Sequence, residues 1–441
     1  MSEVQDLSTA PKPVGVSLLG LGTVGSAVLR LLGEHADEFE ARIGAPVEVR
    51  GVAVSDLSKP REGVDPALLT DDAMSLINRD DIDIVVEVIG GIDYPRELVL
   101  AALSAGKSVV TANKALVAAH ADELAEAADA QGVDLFFEAA VAAAIPVVGM
   151  LRRSLAGDQV QRISGIVNGT TNFILDAMTS TGFTYEEALA EATRLGYAEA
   201  DPTADVEGHD AASKAAILAS LGFHTRVKFD DVHCEGITKI TSVDIEAASK
   251  AGYTIKLLAI CEKIADEAGK QSVSARVHPA LVPNSHPLAS VNQSYNAVYV
   301  ETEAAGQLMF YGNGAGGDPT ASAVLGDLVG AARNKVLGGR APGESTYANL
   351  PIADFGDVST RYHIDMNVAD RPGVLADLAA MFAEKNISIR TVRQEEQEHH
   401  NNARLFVVTH SAREADLAGI VNALSERDDV QDVNSVTRLE G

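Results

Sequence analysis

The 441-residue sequence predicts an α/β protein of three parts. Three observations predict it. Between residues 14 and 137, short apolar runs alternate with helical patterns, as in a parallel, doubly wound sheet. From Arg361 to Arg438 the patterns follow the order strand–helix–strand–strand–helix–strand, a ferredoxin-like βαββαβ unit. Between these, the segment VLGGRAPGESTYANLPIADFGD (Val336–Asp357) loses helical period and is rich in glycine and proline, so it reads as a linker. The expected boundaries are 14–145 with a return segment at about 318–340, then 146–317, a linker at 341–357, and 358–438. A prior of about 150 residues per domain agrees.

The elements follow in order. The first 13 residues are polar, contain Pro11 and Pro13, and read as a loose arm. Val14–Leu19 is a short apolar run and reads as a buried strand, and Val24–Leu32 as a helix. Val47–Val54 and Asp83–Val88 read as strands, Tyr94–Ala105 as a helix, Ser108–Val110 as a short strand. Ala115–Gln131 is an alanine-rich helix and Val133–Phe137 a further strand. In the second part, Gln159–Asn168 is strand-like and Thr171–Ser180, Tyr185–Leu195 and Val206–Leu221 are helical. Asp244–Ala251 and Ile255–Glu267 also read as helices, and Ser272–His278 and Tyr295–Thr302 as strands, giving a mixed α/β domain. The last part reads as strands at Arg361–Val368, Ile387–Gln394, Ala403–Thr409 and Val430–Arg438, with helices at Gly373–Lys385 and Ala412–Ser425.

Composition narrows the function. Hydrophobic residues make up 46% and charged residues 22%, which excludes wholesale disorder. A net charge of −28 argues against a nucleic-acid partner, which needs a basic face. No apolar run reaches the roughly 18–20 residues of a membrane span, and the acidic start is no signal peptide. Cys234 and Cys261 make no disulfide framework. The expectation is a cytoplasmic protein with neither nucleic-acid nor membrane partners.

Gly20-Leu-Gly22-Thr-Val-Gly25 follows a strand and opens a helix. In that context it is a dinucleotide fingerprint: a tight turn, close backbone approach to a pyrophosphate, and close helix packing, with the helix N-terminus facing the phosphates. The first part is therefore expected to be a Rossmann-type domain, with Gly20, Gly22, Thr23, Val24 and Gly25 against the cofactor. An acid at the end of the second strand would grip a ribose hydroxyl, and Asp56 stands near Ala53. Arg50, Lys59 and Arg61 are equally near and suit a 2′-phosphate, so NADP(H) is expected over NAD(H).

Lys114 stands just past a strand, at the crevice where open α/β sheets bind ligands. Lys107 precedes that strand and reads as a surface residue on spacing, though it is kept as a candidate cofactor contact. Farther on, Glu199, Asp201, Asp205, Glu207 and Asp210 lie upstream of Lys214. Asp205 is placed to cap the following helix, and Asp210 and Lys214 share a face of it. Positions 211, 212, 213, 215 and 216 are Ala, Ala, Ser, Ala, Ala, small enough for a substrate to approach. Acids around a lysine suit a site that receives an ammonium group and needs a proton donor.

From Ala192 to Lys214 the chain carries A-x3-G, an aromatic residue, D-P, D-[LIVM]-x-G-x-D and x3-K, and so resembles the homoserine dehydrogenases. The resemblance implies reversible reduction of L-aspartate 4-semialdehyde to L-homoserine in threonine and methionine biosynthesis. It implies Lys214 as proton donor, Lys114 as a second catalytic lysine and cofactor contact, and Glu199, Asp210 and Asp205 as substrate ligands. Glu138-Ala-Ala-Val141-Ala-Ala143-Ala-Ile145 resembles the family's monovalent-cation loop, implying sodium at Glu138, Val141, Ala143 and Ile145. Relatives often have glycine where this chain has alanine there. Gly312–Thr320 resembles the return to the nucleotide domain, with Gly317 near the cofactor.

Asp370-Arg-Pro-Gly-Val-Leu375 and Asn386-Ile387 within the βαββαβ unit resemble ACT domains, which pair and bind amino acids. That implies L-threonine as effector and a homodimer or homotetramer. Deleting the chain from about residue 355 is then expected to keep activity and remove threonine inhibition. Two other functions are compatible with the residues alone: another amino-acid dehydrogenase, and a non-catalytic sensor of dinucleotide and amino acid. The eleven histidines show no zinc spacing, and His399-His400 reads as a loop.

Overall fold

The computed structural model describes residues 12–266, 268–343, 346–396 and 402–440. Most of the N-terminal arm and the His399-His400 loop lie outside them. The first layer is a six-stranded parallel sheet in the order Leu69–Thr70, Val47–Ala53, Val14–Leu19, Ile84–Glu87, Ser108–Thr111, Leu135–Phe136. Every residue of Val14–Leu19, Ile84–Glu87 and Ser108–Thr111 is buried, as parallel strands covered on both faces require. The order reverses between Val14–Leu19 and Ile84–Glu87. A ligand crevice is expected there, outside the carboxyl ends of the strands.

The glycine-turn helix is Thr23–Glu34. The chain returns to this domain through the long helix Gly317–Leu337, whose Ala321, Val324, Leu325 and Leu328 share one core with Val16, Leu18, Val28 and Leu32. The helix Ala36–Ile43 was not expected; its sequence, ADEFEARI, is mostly exposed and buries only Ile43.

The second layer is a ten-stranded sheet. Its main path runs Gln307–Asn313, Tyr295–Thr302, Val160–Ile166, Tyr253–Ala265, Gln271–Pro283, Val430–Leu439, Tyr362–Ala369, Asn402–Thr409, Ile389–Glu396. Two findings correct the sequence reading. The expected helix at Ile255–Glu267 is the strand Tyr253–Ala265, paired residue for residue with Gln271–Pro283 and flanked on its other side by Val160–Ile166. Ile255–Cys261 is continuously buried, Lys256 included, so the run shows no two-residue alternation. Second, the strand Gln307–Asn313, which the sequence reading did not assign to any element, forms the sheet's edge.

The last four strands in that order, with the helices Val374–Glu384 and Glu414–Ser425, form the βαββαβ unit around a core of Ile364, Met366, Leu378, Phe382, Leu405, Leu417 and Ile420. This unit is sewn into the second sheet. Its last strand pairs in parallel with Gln271–Pro283 at Ala280↔Arg438 and Leu281↔Leu439. The segment read as a linker is also hydrogen-bonded to the sheet, where Val273 N–H donates to Pro351 (2.9 Å) and Ala353 N–H to Val273 (2.8 Å), and to Thr225 just past the helix His209–Phe223, whose Oγ1 accepts from Leu350 N–H (3.1 Å).

Candidate active site

A cleft of about 810 Å³ opens where the first sheet meets the second layer. Thr23 and Val24 line one wall, Lys114 another, and Glu199, Asp205, Asp210 and Lys214 the floor and rim. The sites expected from distant stretches of sequence therefore converge.

The helix His209–Phe223 presents Asp210 in its first turn and Lys214 one turn on. Both side chains are buried, at 4% and 9% exposure. Asp210 Oδ2 accepts from Lys214 Nζ (2.7 Å) and from Asn168 Nδ2 (2.9 Å), and Oδ1 accepts from Lys114 Nζ. Lys214 Nζ also donates to the Val167 carbonyl (2.6 Å). Burial would raise the pKa of Asp210, but the ammonium groups of Lys214 and Lys114 outweigh it and hold the carboxyl far below its ordinary range. Lys114 opens the helix Lys114–Gln131, which Asn113 caps through Leu116 N–H (3.1 Å), and its side chain is half-exposed to the cleft.

Asn168 and Glu87 escaped the sequence reading. Asn168 caps the helix Gly169–Thr181 through Thr171 N–H (2.9 Å) and bridges Asp205 (2.7 Å) and Asp210 with its amide. An asparagine before a helix signals a cap, but not which side chains its amide meets. Glu87, fully buried, accepts from Thr111 Oγ1 (2.5 Å) and Ile89 N–H (2.8 Å), shaping the loop whose Gly90 and Gly91 line the cleft. Asp205 lies in the short helix Thr203–Val206 and does not cap the lysine helix, whose N-cap is Gly208. Glu199 is exposed on the rim.

Beside the cleft a recess of about 350 Å³ is lined by Gly20, Gly22, Ala53, Lys59, Arg61 and neighbours. Gly20 has φ +101°, and a Cβ on it would sit 2.9 Å from the Val88 carbonyl oxygen; one on Gly25 would sit 2.2 Å from the Gly20 carbonyl oxygen. Gly25 therefore serves helix packing. Gly317, at the start of the return helix, lines the main cleft, and a Cβ there would meet Thr23 at 3.1 Å. The buried Arg61 Nε has no partner among the described residues, which fits a phosphate in this recess. Asp56 turns instead to Ser58 N–H (2.9 Å) and Oγ (2.6 Å).

Two expected cofactor contacts stand elsewhere. Lys107 is buried at the amino end of its strand, donating to the carbonyls of Arg79 (2.6 Å) and Ile82 (2.7 Å), at the edge opposite the cleft. Arg50 pairs with Glu48 (2.5 Å) and does not line the recess.

The residues of the expected cation loop are partly engaged by backbone N–H groups. Both Glu138 carboxylate oxygens accept backbone N–H groups, from Val148 (2.8 Å) and Gly149 (2.7 Å), and the Ile145 carbonyl accepts from Val147 (2.8 Å). Each Glu138 carboxylate oxygen keeps a further lone pair, and a hard cation takes oxygen ligands of this kind. Ala143 does take an unusual backbone, φ +45° and ψ −108°. Among the described residues no group of three or more His, Cys, Asp or Glu side chains could hold a metal, and no helix is long and apolar enough to cross a membrane.

A glycine turn at the switch point of a parallel sheet, with a lysine pair sharing one carboxylate across the cleft, defines a nicotinamide-dependent oxidoreductase. Comparison with known proteins gives the family. The model for the homoserine dehydrogenase catalytic domain matches residues 146–329, that for the homoserine dehydrogenase NAD-binding domain residues 20–138, and that for the ACT domain residues 362–429. A homoserine dehydrogenase of Corynebacterium glutamicum is 72% identical over 97% of this chain and 96% of its own. The structure of one from Thiobacillus denitrificans superposes with a TM-score of 0.90 at 39% identity, covering 98% of this chain and 99% of that one. A hyperthermophilic archaeal homoserine dehydrogenase solved in complex with NADPH superposes at 0.62 with 28% identity, over 76% of this chain and all of its own. The chain belongs to the homoserine dehydrogenase family.

Proposed function

We propose that this chain interconverts L-aspartate 4-semialdehyde and L-homoserine, with NADP(H) preferred and NAD(H) the weaker cofactor, as a step toward threonine and methionine. The observation that carries the reading is the Lys214–Asp210–Lys114 row on the cleft floor, facing the glycine-turn helix. The reduced nicotinamide, when bound, supplies the hydride. The protein must then stabilise the charge that develops on the aldehyde oxygen. A lysine ammonium has three N–H donors, and Val167 and Asp210 take two of those on Lys214. The third is left for the aldehyde oxygen, to which Lys214 gives the proton. Asp210 has three acceptor positions filled, so its role is to set the two lysines more than to hold substrate. The substrate ammonium goes to Glu199 and Asp205 on the rim. NADP(H) is favoured by Lys59 and the unpartnered Arg61 Nε; the archaeal relative's NADPH agrees. A sodium ion at Glu138, Val141, Ala143 and Ile145 would hold this loop, and no step of the reaction is assigned to it. The ACT unit is read as the receptor for L-threonine, within a homodimer or homotetramer.

Steady-state turnover of aspartate semialdehyde tests the reading. Lys214→Ala is expected to lower kcat by about 10²–10⁴-fold with NADPH affinity unchanged. Full turnover in that variant would remove Lys214 from the chemistry.

A further inference from the structure

A second cleft, of about 430 Å³, lies between the C-terminal unit and the catalytic sheet, and none of its lining residues lines the active site. Four guanidiniums meet two carboxylates there: Arg162 and Arg276 with Glu262 from the catalytic sheet, Arg361 and Arg390 with Glu440 from the C-terminal unit. In a protein of net charge −28 this is a local reversal of sign.

The paired groups do not use all their donors. Arg276 is 1% exposed; it donates to Glu262 (2.6 Å) and Glu440 (3.2 Å), yet its buried Nε has no hydrogen-bond partner among the described residues. Arg162 pairs with Glu440, while its own buried Nε is likewise without a hydrogen bond and stands 3.8 Å from Glu262. Leaving a buried donor unpaired is costly, more so on a charged group. Arg390, exposed at the start of the strand Ile389–Glu396, makes no ion pair among the described residues.

We propose that this cleft binds a small oxyanion, a phosphate or a carboxylate, between the catalytic sheet and the C-terminal unit. Guanidiniums favour such groups because their fork matches two oxygens at once. An anion held from both sides ties the two units together, so binding stabilises their present arrangement over any in which they part.

The test uses the full chain with NADPH saturating, so that phosphate does not enter the nucleotide recess. Inorganic phosphate and malonate are titrated by calorimetry and thermal melting against chloride at equal ionic strength. Saturable binding with a raised Tm is expected. Arg390→Gln, at an exposed position, is expected to weaken it at least tenfold and to leave kcat in anion-free buffer unchanged. A response to phosphate alone assigns a phosphorylated ligand, and one to malonate alone a carboxylate. Failure of both anions, or equal affinity in Arg390→Gln, overturns the proposal.

Discussion

Asp210 binds Lys114, Lys214 and Asn168 together, so the cleft floor behaves as one charged unit. A close pair could be foreseen for Asp210 and Lys214, which stand one helical turn apart; their joining to Lys114, 96 residues upstream, could not, because it depends on how two layers dock. Two candidate cofactor contacts lie away from the ligand: Lys107 at the amino end of its strand, the end opposite the crevice that its place in the sequence already indicates, and Arg50 beside Glu48. Arg61 is where nearness in sequence and in space coincide. If its unpartnered Nε awaits the 2′-phosphate, Arg61→Gln removes a charge-assisted contact of about 1.5–3 kcal/mol. The KM for NADPH is then expected to rise by roughly 10–100-fold with that for NADH nearly unchanged. Equal losses with both cofactors would place Arg61 in the support of the recess instead.

The elements that carry a clear period or a turn signal were legible: the glycine turn, the amphipathic helices and the alternating strands of the ACT unit. Tyr253–Ala265 was not, since a strand buried on both faces has no alternation to show. The loop after Glu138 was legible only as a resemblance, and its backbone shows why alanine there matters. Ala143 at φ +45° and ψ −108° lies outside even the small left-handed helical region open to side-chain-bearing residues. Strain of this kind costs about 1–3 kcal/mol. Glycine relieves it but loses some of the gain through a freer unfolded chain. Ala143→Gly is therefore expected to stabilise the protein by about 1 kcal/mol in urea unfolding, with little change in kcat. A loss of stability would show that the surrounding loop needs the alanine methyl, which is buried.

At the scale of the whole molecule, the charge of −28 speaks for an acidic surface overall and hides the arginine-rich junction beneath the ACT unit. That junction alters one expectation. A separable regulatory tail could be cut at about residue 355 with little effect on the rest. The structure instead runs the sheet through the boundary, at Ala280↔Arg438 and Leu281↔Leu439, and sets the Glu440 carboxylate against Arg162 and Arg276. Burial would raise the Glu440 pKa, and the two guanidiniums reverse this to about 2, so the carboxylate is charged at neutral pH. Cutting the chain removes a partner from Arg276, which is 1% exposed, and bares an edge of the strand Gln271–Pro283. Breaking a buried pair on one side costs about 3–5 kcal/mol. A chain ending at residue 354 is thus expected to lose several degrees in Tm and to self-associate, even where it still turns over substrate. Glu440→Gln in the full chain should reproduce much of the thermal loss, because it removes the charge and keeps the strand. If the truncated chain melts with the full one and stays dispersed, the junction carries no stability and the tail is the detachable module that a glycine- and proline-rich linker suggested.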